Sequence, residues 1–185
     1  RDIAAAKAGI IKPGGCVVSY GGSPEADAVI RRVCREQRAD LTEVDFSRLS
    51  VQQADLQGTR FDFSPHRNLE LPLAGAYQPR NAAAAITALE CLARKGWSVP
   101  EEALRRGLAA VQWPGRFEVL RRHPAVILDG AHNAHGMRAT VESLRQMFPG
   151  QRVTLILGIL EDKDVEQMLD LLTPVAGTAF VIRPE

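Results

Sequence analysis

The chain alternates two hydrophobic rhythms. Ile3 to Ile10 carries apolar residues at helical spacing until Pro13, Gly14 and Gly15 force a turn, and Cys16 to Tyr20 follows as a short apolar strand closed by Gly21-Gly22. Ser23-Pro24 has the cap-then-proline order of a helix start, and Ala26, Val29, Ile30, Val33 and Cys34 then fall on one face. Leu41 to Phe46 returns as a strand, which makes a strand–helix–strand unit. Residues 47 to 58 are polar and weakly periodic and read as loop. Two short strands, 59–64 and 68–73, flank a hairpin at Pro65-His66-Arg67.

A long helix is expected from about Pro79 to Lys95, with Ile86, Leu89 and Leu92 as its stripe and Gly96 as its cap. Another opens at Val99-Pro100-Glu101-Glu102 and ends near Val111. Trp113-Pro114-Gly115-Arg116 then punctuates the chain, and the pattern restarts as strand 117–122, strand 125–129, helix 134–148, strand 152–158, helix 164–173 and strand 178–182. Strands alternating with helices predict an α/β fold with a parallel sheet covered by helices.

Composition narrows the function classes. Twenty-three basic against 22 acidic side chains leave a net charge of +1, which argues against binding nucleic acid through bulk charge. Arg31, Arg32, Arg35 and Arg38 lie at helical spacing and read as a solvated face. No apolar run approaches ~20 residues, so no membrane span is expected. Three widely spaced cysteines show no metal-ligand spacing and fit reduced residues of a cytoplasmic protein. The first residue is Arg1 and no signal-peptide pattern follows it, so the chain is expected to be a portion of a longer protein.

Ligands of open parallel sheets bind beyond the carboxyl ends of the strands, where helix N-termini also point. Asp129 ends the strand AVILD, Gly130-Ala131 gives a turn of little bulk, and His132 and Asn133 stand at the start of the next helix. Those residues fit an anion site in which Asp129 accepts from ribose hydroxyls and His132 donates to phosphate; they fit equally a turn and an N-cap. A metal pair of His132 with His135 lacks a third ligand. Asn81, at the start of the Ala-rich helix, suits an adenine edge or a plain first turn. Arg116, on its Pro-Gly turn, suits a phosphate or the surface. Lys7 is the lone charge in IAAAKAGII: a desolvated lysine is a nucleophile or carbamylation target, a snorkelling one neither. Asp162, Lys163 and Asp164 follow the strand VTLILG as a second polar cluster, in which Asp164 can cap the next helix or all three can be solvated. There is no GxxxxGK[ST] loop, GxGxxG fingerprint, GxSxG elbow or CxxC pair in these residues.

Five segments, in order, resemble one family: KAGIIKPG at 7–14, LAGAYQPRNAAAAITALE at 73–90, WPGRFEVL at 113–120, VILDGAHNAHG at 126–136 and LGILEDKD at 157–164. They are similar to folylpolyglutamate synthase, often bifunctional with dihydrofolate synthase, in the Mur ligase superfamily, and they span nearly the whole chain. The resemblance implies the end of a P-loop ATPase-type domain over 1–113, then a Rossmann-like, mostly parallel C-terminal ligase domain over 114–185, possibly truncated. It places the phosphate loop and a Mg²⁺-ligating histidine upstream of Arg1, with no metal ligand in this chain. It implies ATP-dependent ligation of L-glutamate to folate, and to dihydropteroate, through an acyl phosphate, by a cytoplasmic monomer with no nucleic-acid or membrane partner. This chain alone would be inactive. Carried over by residue, Lys7 matches a carbamylated lysine, Asn81 and Arg116 match ATP contacts, Asp129 matches a contact at the ribose, and His132 lies near the phosphates. Asp162, Lys163 and Asp164 fall to the substrate. Three positions depart from the family: Ala6 replaces its usual glutamate, Tyr77 a common histidine, and Ala134 a proline. A cell-wall Mur-type ligase and a non-catalytic nucleotide-binding module are the alternatives.

Overall fold

The computed structural model describes residues 2 to 183. Helix α1 (Asp2–Ala8) leads to β1 (Cys16–Ser19), α2 (Pro24–Glu36) and β2 (Asp40–Glu43), with β1 and β2 parallel and Val18 opposite Thr42. Ser23 caps α2, its hydroxyl accepting from the Ala26 N–H, and Pro24 opens the helix. The arginines at 31, 32, 35 and 38 are solvent-exposed, as their spacing predicts.

Residues 47 to 58, expected as loop, instead contain strand β3 (Leu49–Asp55). With β4 (Gly58–Phe63) and β5 (His66–Leu71) it forms a three-stranded antiparallel sheet in the order β3-β4-β5. The strand is hard to see in sequence because Ser50, Val51, Gln52 and Gln53 are exposed and a register shift between Val51 and Gln53 breaks its alternation. Phe61 and Phe63 of the central strand are fully buried and meet Leu69, Leu71, Ala83, Ile86 and Leu104 in the first core. Most of that core's helical face comes from α3 (Gln78–Arg94), which the predicted boundaries match to within a residue. At its end Gly96 takes φ 92° and the Trp97 N–H returns to the Leu92 carbonyl at 3.1 Å, a Schellman cap.

After α4 (Glu101–Ala109) the chain crosses Trp113–Arg116 into β6 (Glu118–Arg122) and β7 (Ala125–Leu128), then α5 (Ala134–Met147), β8 (Val153–Leu157), α6 (Val165–Leu172) and β9 (Ala176–Val181). The predicted α/β alternation is present and β8 pairs β9 in parallel. β7 differs from the expectation: it pairs with β6 as an antiparallel hairpin. Only two residues, His123 and Pro124, separate β6 from β7, and so short a connection returns a strand antiparallel to its predecessor. A second core gathers Met137, Val141, Met168, Leu172 and Val175 beneath β8. Among the described residues, no helix is long and apolar enough to cross a membrane.

Candidate functional site

A cleft of about 690 Å³ lies between the regions of the two cores. One wall is the loop before α3 and its first turn, carrying Tyr77, Gln78 and Asn81. The other is the turn after β7 and the start of α5, carrying Asp129, Ala131 and Gly136, and Trp113 and Arg116 reach the cleft from the connecting segment.

The walls are held together by hydrogen bonds. Asp129 Oδ1 accepts from the Ala131 N–H at 2.8 Å and Thr140 Oγ1 at 2.9 Å. Its Oδ2 accepts from the Phe117 N–H at 2.8 Å and the Tyr77 hydroxyl at 3.4 Å. A carboxylate has about four acceptor sites, so this one is occupied by protein donors drawn from both walls and from the connecting segment. Burial, reinforced by the Asp129 charge, pushes the Tyr77 phenol well above its ordinary range, so it stays protonated and donates. The Gly130 N–H donates to the Gly115 carbonyl at 2.8 Å, and a Cβ at 130 would sit 3.2 Å from that same oxygen, hence the glycine. Gly75 has φ +113° and passes close to Phe117. Next to it, the Ala76 N–H donates to Ser143 Oγ at 2.9 Å, while that hydroxyl donates to the Ala139 carbonyl at 2.7 Å. Asn81 Nδ2 donates to Gln78 Oε1 at 3.2 Å, and Gln78 Nε2 to the Arg116 carbonyl at 3.5 Å.

The structure therefore brings Asn81, Arg116 and Asp129 to one cleft and leaves the other sequence candidates outside its lining. Asn133 is an N-cap, accepting from the Gly136 N–H at 2.8 Å. His132 turns back on its own loop, Nδ1 2.9 Å from the Gly130 carbonyl, and lies near Asp162. His135, which sequence reasoning set aside with the metal pair, lines the cleft. Lys163 Nζ lies 2.5 Å from Asp162 Oδ2 and holds that carboxyl below its usual range, while Asp164 caps α6 through the Gln167 N–H at 3.1 Å. Lys7 is exposed on α1, away from the cleft lining. Thr140 and Ser143 went unseen in sequence: both sit mid-helix, where a lone hydroxyl carries no motif.

Chemically the cleft offers amide donors and acceptors at Asn81 and Gln78, apolar walls at Leu73, Ala82 and Ala85, one guanidinium at Arg116, and the first turn of α5. That set suits a ligand with a planar heterocycle at one end and anionic oxygens at the other. Among the described residues no three His, Cys, Asp or Glu side chains gather as a metal site. The donor set does not fit Mg²⁺.

The Mur ligase glutamate ligase domain matches residues 115–185. The chain is 37% identical to the folylpolyglutamate synthase of Lacticaseibacillus casei over 97% of its own length and 43% of that protein's. It is 35% identical to the dihydrofolate synthase/folylpolyglutamate synthase of Bacillus subtilis, covering 95% of this chain and 42% of the relative. Among solved structures, Mycobacterium tuberculosis folylpolyglutamate synthase complexed with ADP superposes with a TM-score of 0.83 at 30% identity, over 97% of this chain and 42% of that one. The chain thus spans about two fifths of the length of the curated relatives it matches.

Proposed function

The chain belongs to the folylpolyglutamate synthase family of Mur ligases, and from that premise we propose that it supplies part of the ATP site of an enzyme that ligates L-glutamate to folate, and to dihydropteroate, through an acyl phosphate. In that reaction a substrate carboxylate oxygen attacks the γ-phosphorus and releases ADP. The glutamate amine then attacks the acyl carbon, phosphate leaves, and an amide remains. Residues 1–113 are the end of the ATPase-type domain and 114–185 the ligase domain, in a cytoplasmic monomer.

One observation carries this reading: a single cleft places the Asn81 amide, the Arg116 guanidinium and the start of α5 together. Asn81 would face the base, and Arg116 and the free N–H groups of α5 the phosphates. Asp129 supports the reading differently from the sequence expectation. Its four hydrogen bonds go to protein, so it first sets the shape of the turn. A ribose hydroxyl would most readily displace Tyr77, whose 3.4 Å bond is the longest of the four. Asp162, Lys163 and Asp164 are the proposed substrate contacts, and His132, near Asp162, is proposed to stand by the phosphates. Carbamylation of Lys7 enters through the family resemblance alone.

Because these residues contain no phosphate loop, the chain by itself is expected to bind nucleotide without ligating glutamate. Calorimetric titration of ADP into the chain tests the site. Arg116→Ala is expected to weaken binding about tenfold or more, the scale of a lost charge-assisted hydrogen bond to phosphate, with an unchanged melting temperature. Unchanged affinity in that variant would contradict the assignment.

A further inference from the structure

Tyr20 immediately follows β1, just before Gly21-Gly22, where the sequence suggests nothing beyond the close of a strand. Its ring nevertheless lines the cleft and is 41% exposed. The exposed ring is also fixed in place. Arg80 Nε donates to the Tyr20 hydroxyl at 3.2 Å, and the same guanidinium stands 5.4 Å from the ring centroid. The ring of Phe46 meets it at 4.9 Å with an interplanar angle of 63°, in edge-to-face contact. Arg80 is itself anchored, 3.6 Å over the centroid of Phe46. Three side chains from three separate stretches of the chain thus hold one another, and Tyr20 among them reaches the cleft.

An aromatic ring ordered before its ligand arrives loses little freedom on binding, so its stacking energy is retained. Arg80, which holds Tyr20, immediately precedes Asn81, so one helical turn sets both the ring and the amide. The small side chains of Ala82 and Ala85 also line the cleft and leave room for a flat heterocycle.

We propose that Tyr20 is the base-stacking residue of this cleft, its ring taking one face of the purine of a nucleoside di- or triphosphate. The assignment rests on the nucleotide reading above and adds to it a residue that fixes the base rather than the phosphates.

The test compares three probes on the whole chain by calorimetric titration: ADP, adenosine, and inorganic tripolyphosphate, which has no base. Tyr20→Ala is expected to weaken ADP and adenosine about tenfold or more, the scale of one lost base–aromatic stack, and to leave tripolyphosphate unchanged. Tyr20→Phe, which keeps the ring face, is expected to stay within about threefold of the parent for all three probes. Should Tyr20→Ala fail to fold, Tyr20→Leu keeps bulk without a planar face and carries the same expectation. ADP binding by Tyr20→Ala at the parent affinity, or equal weakening of ADP and tripolyphosphate, overturns the stacking role. If the parent chain binds ADP and only the Tyr20 comparison fails, the nucleotide reading stands; if the parent binds no ADP, that reading falls first.

Discussion

The core around Phe61 and the core around Met168 both contain side chains with no exposure, yet the sheets above them meet water differently. In the first, α3 and α4 pack against one face of the antiparallel sheet and bury Phe61, Phe63, Leu69 and Leu71, while the other face is polar: Arg60 and Glu70 are exposed, and Asp62 is held by Gln52, Arg67 and the Asn68 N–H. In the second, Leu155 and Leu157 of β8 face the core, whereas Ile156 is 72% exposed and its β9 partner Phe180 is 58% exposed. The first sheet turns polar side chains to water; the second turns apolar ones. The two cores are also separate clusters, so apolar packing shapes each wall of the cleft, while polar bonds at Asp129, Ser143 and Gly130 join the walls. Site geometry here depends on a few hydrogen bonds more than on the bulk of either core.

The largest expected effect breaks the first core. Phe61→Ala should cost about 3–5 kcal/mol and lower the main melting transition, because its cavity is walled by sheet and helix and cannot collapse. Met168→Ala, at about 2–5 kcal/mol, should act locally, raising amide exchange through 131–181 ahead of the rest; a uniform rise across the chain would mean the cores are not independent. The smaller effect sharpens the role of the join. Ser143→Ala leaves the half-buried Ala76 N–H without its partner and should cost about 1 kcal/mol. Faster exchange at Ala76 together with weakened ADP binding would place Ser143 as a positioning residue. Lost stability with unchanged ADP affinity would limit it to packing.

The sequence was most readable where periodicity was strong. α3 announces itself through Pro79, its run of alanines and Gly96, and the carboxyl end of β7 through AVILD followed by Gly130. β3 was not readable, because an exposed, bulged edge strand rich in Gln and Ser lacks the alternation that marks burial. The hairpin of β6 with β7 was hidden for a different reason: strand order is set by contacts distant in sequence, and strand–helix alternation suits more than one pairing. At the site, Asn81, Arg116 and Asp129 were legible because each stands at a helix start, a Pro-Gly turn or a strand end. Tyr20, Thr140 and Ser143 were not, since their partners lie 60, 11 and 67 residues away and no local spacing betrays them.

In the function proposed above, one cleft, bounded by the start of α3, the Trp113–Arg116 segment and the turn after β7, receives the nucleotide. Amide chemical-shift mapping of the isotopically labelled chain with ADP tests it most directly. Shifts are expected to concentrate at residues 75–82, 113–117 and 129–140, with saturation at a single affinity. Saturable shifts centred on another surface, such as residues 53–60 of the antiparallel sheet, would contradict it.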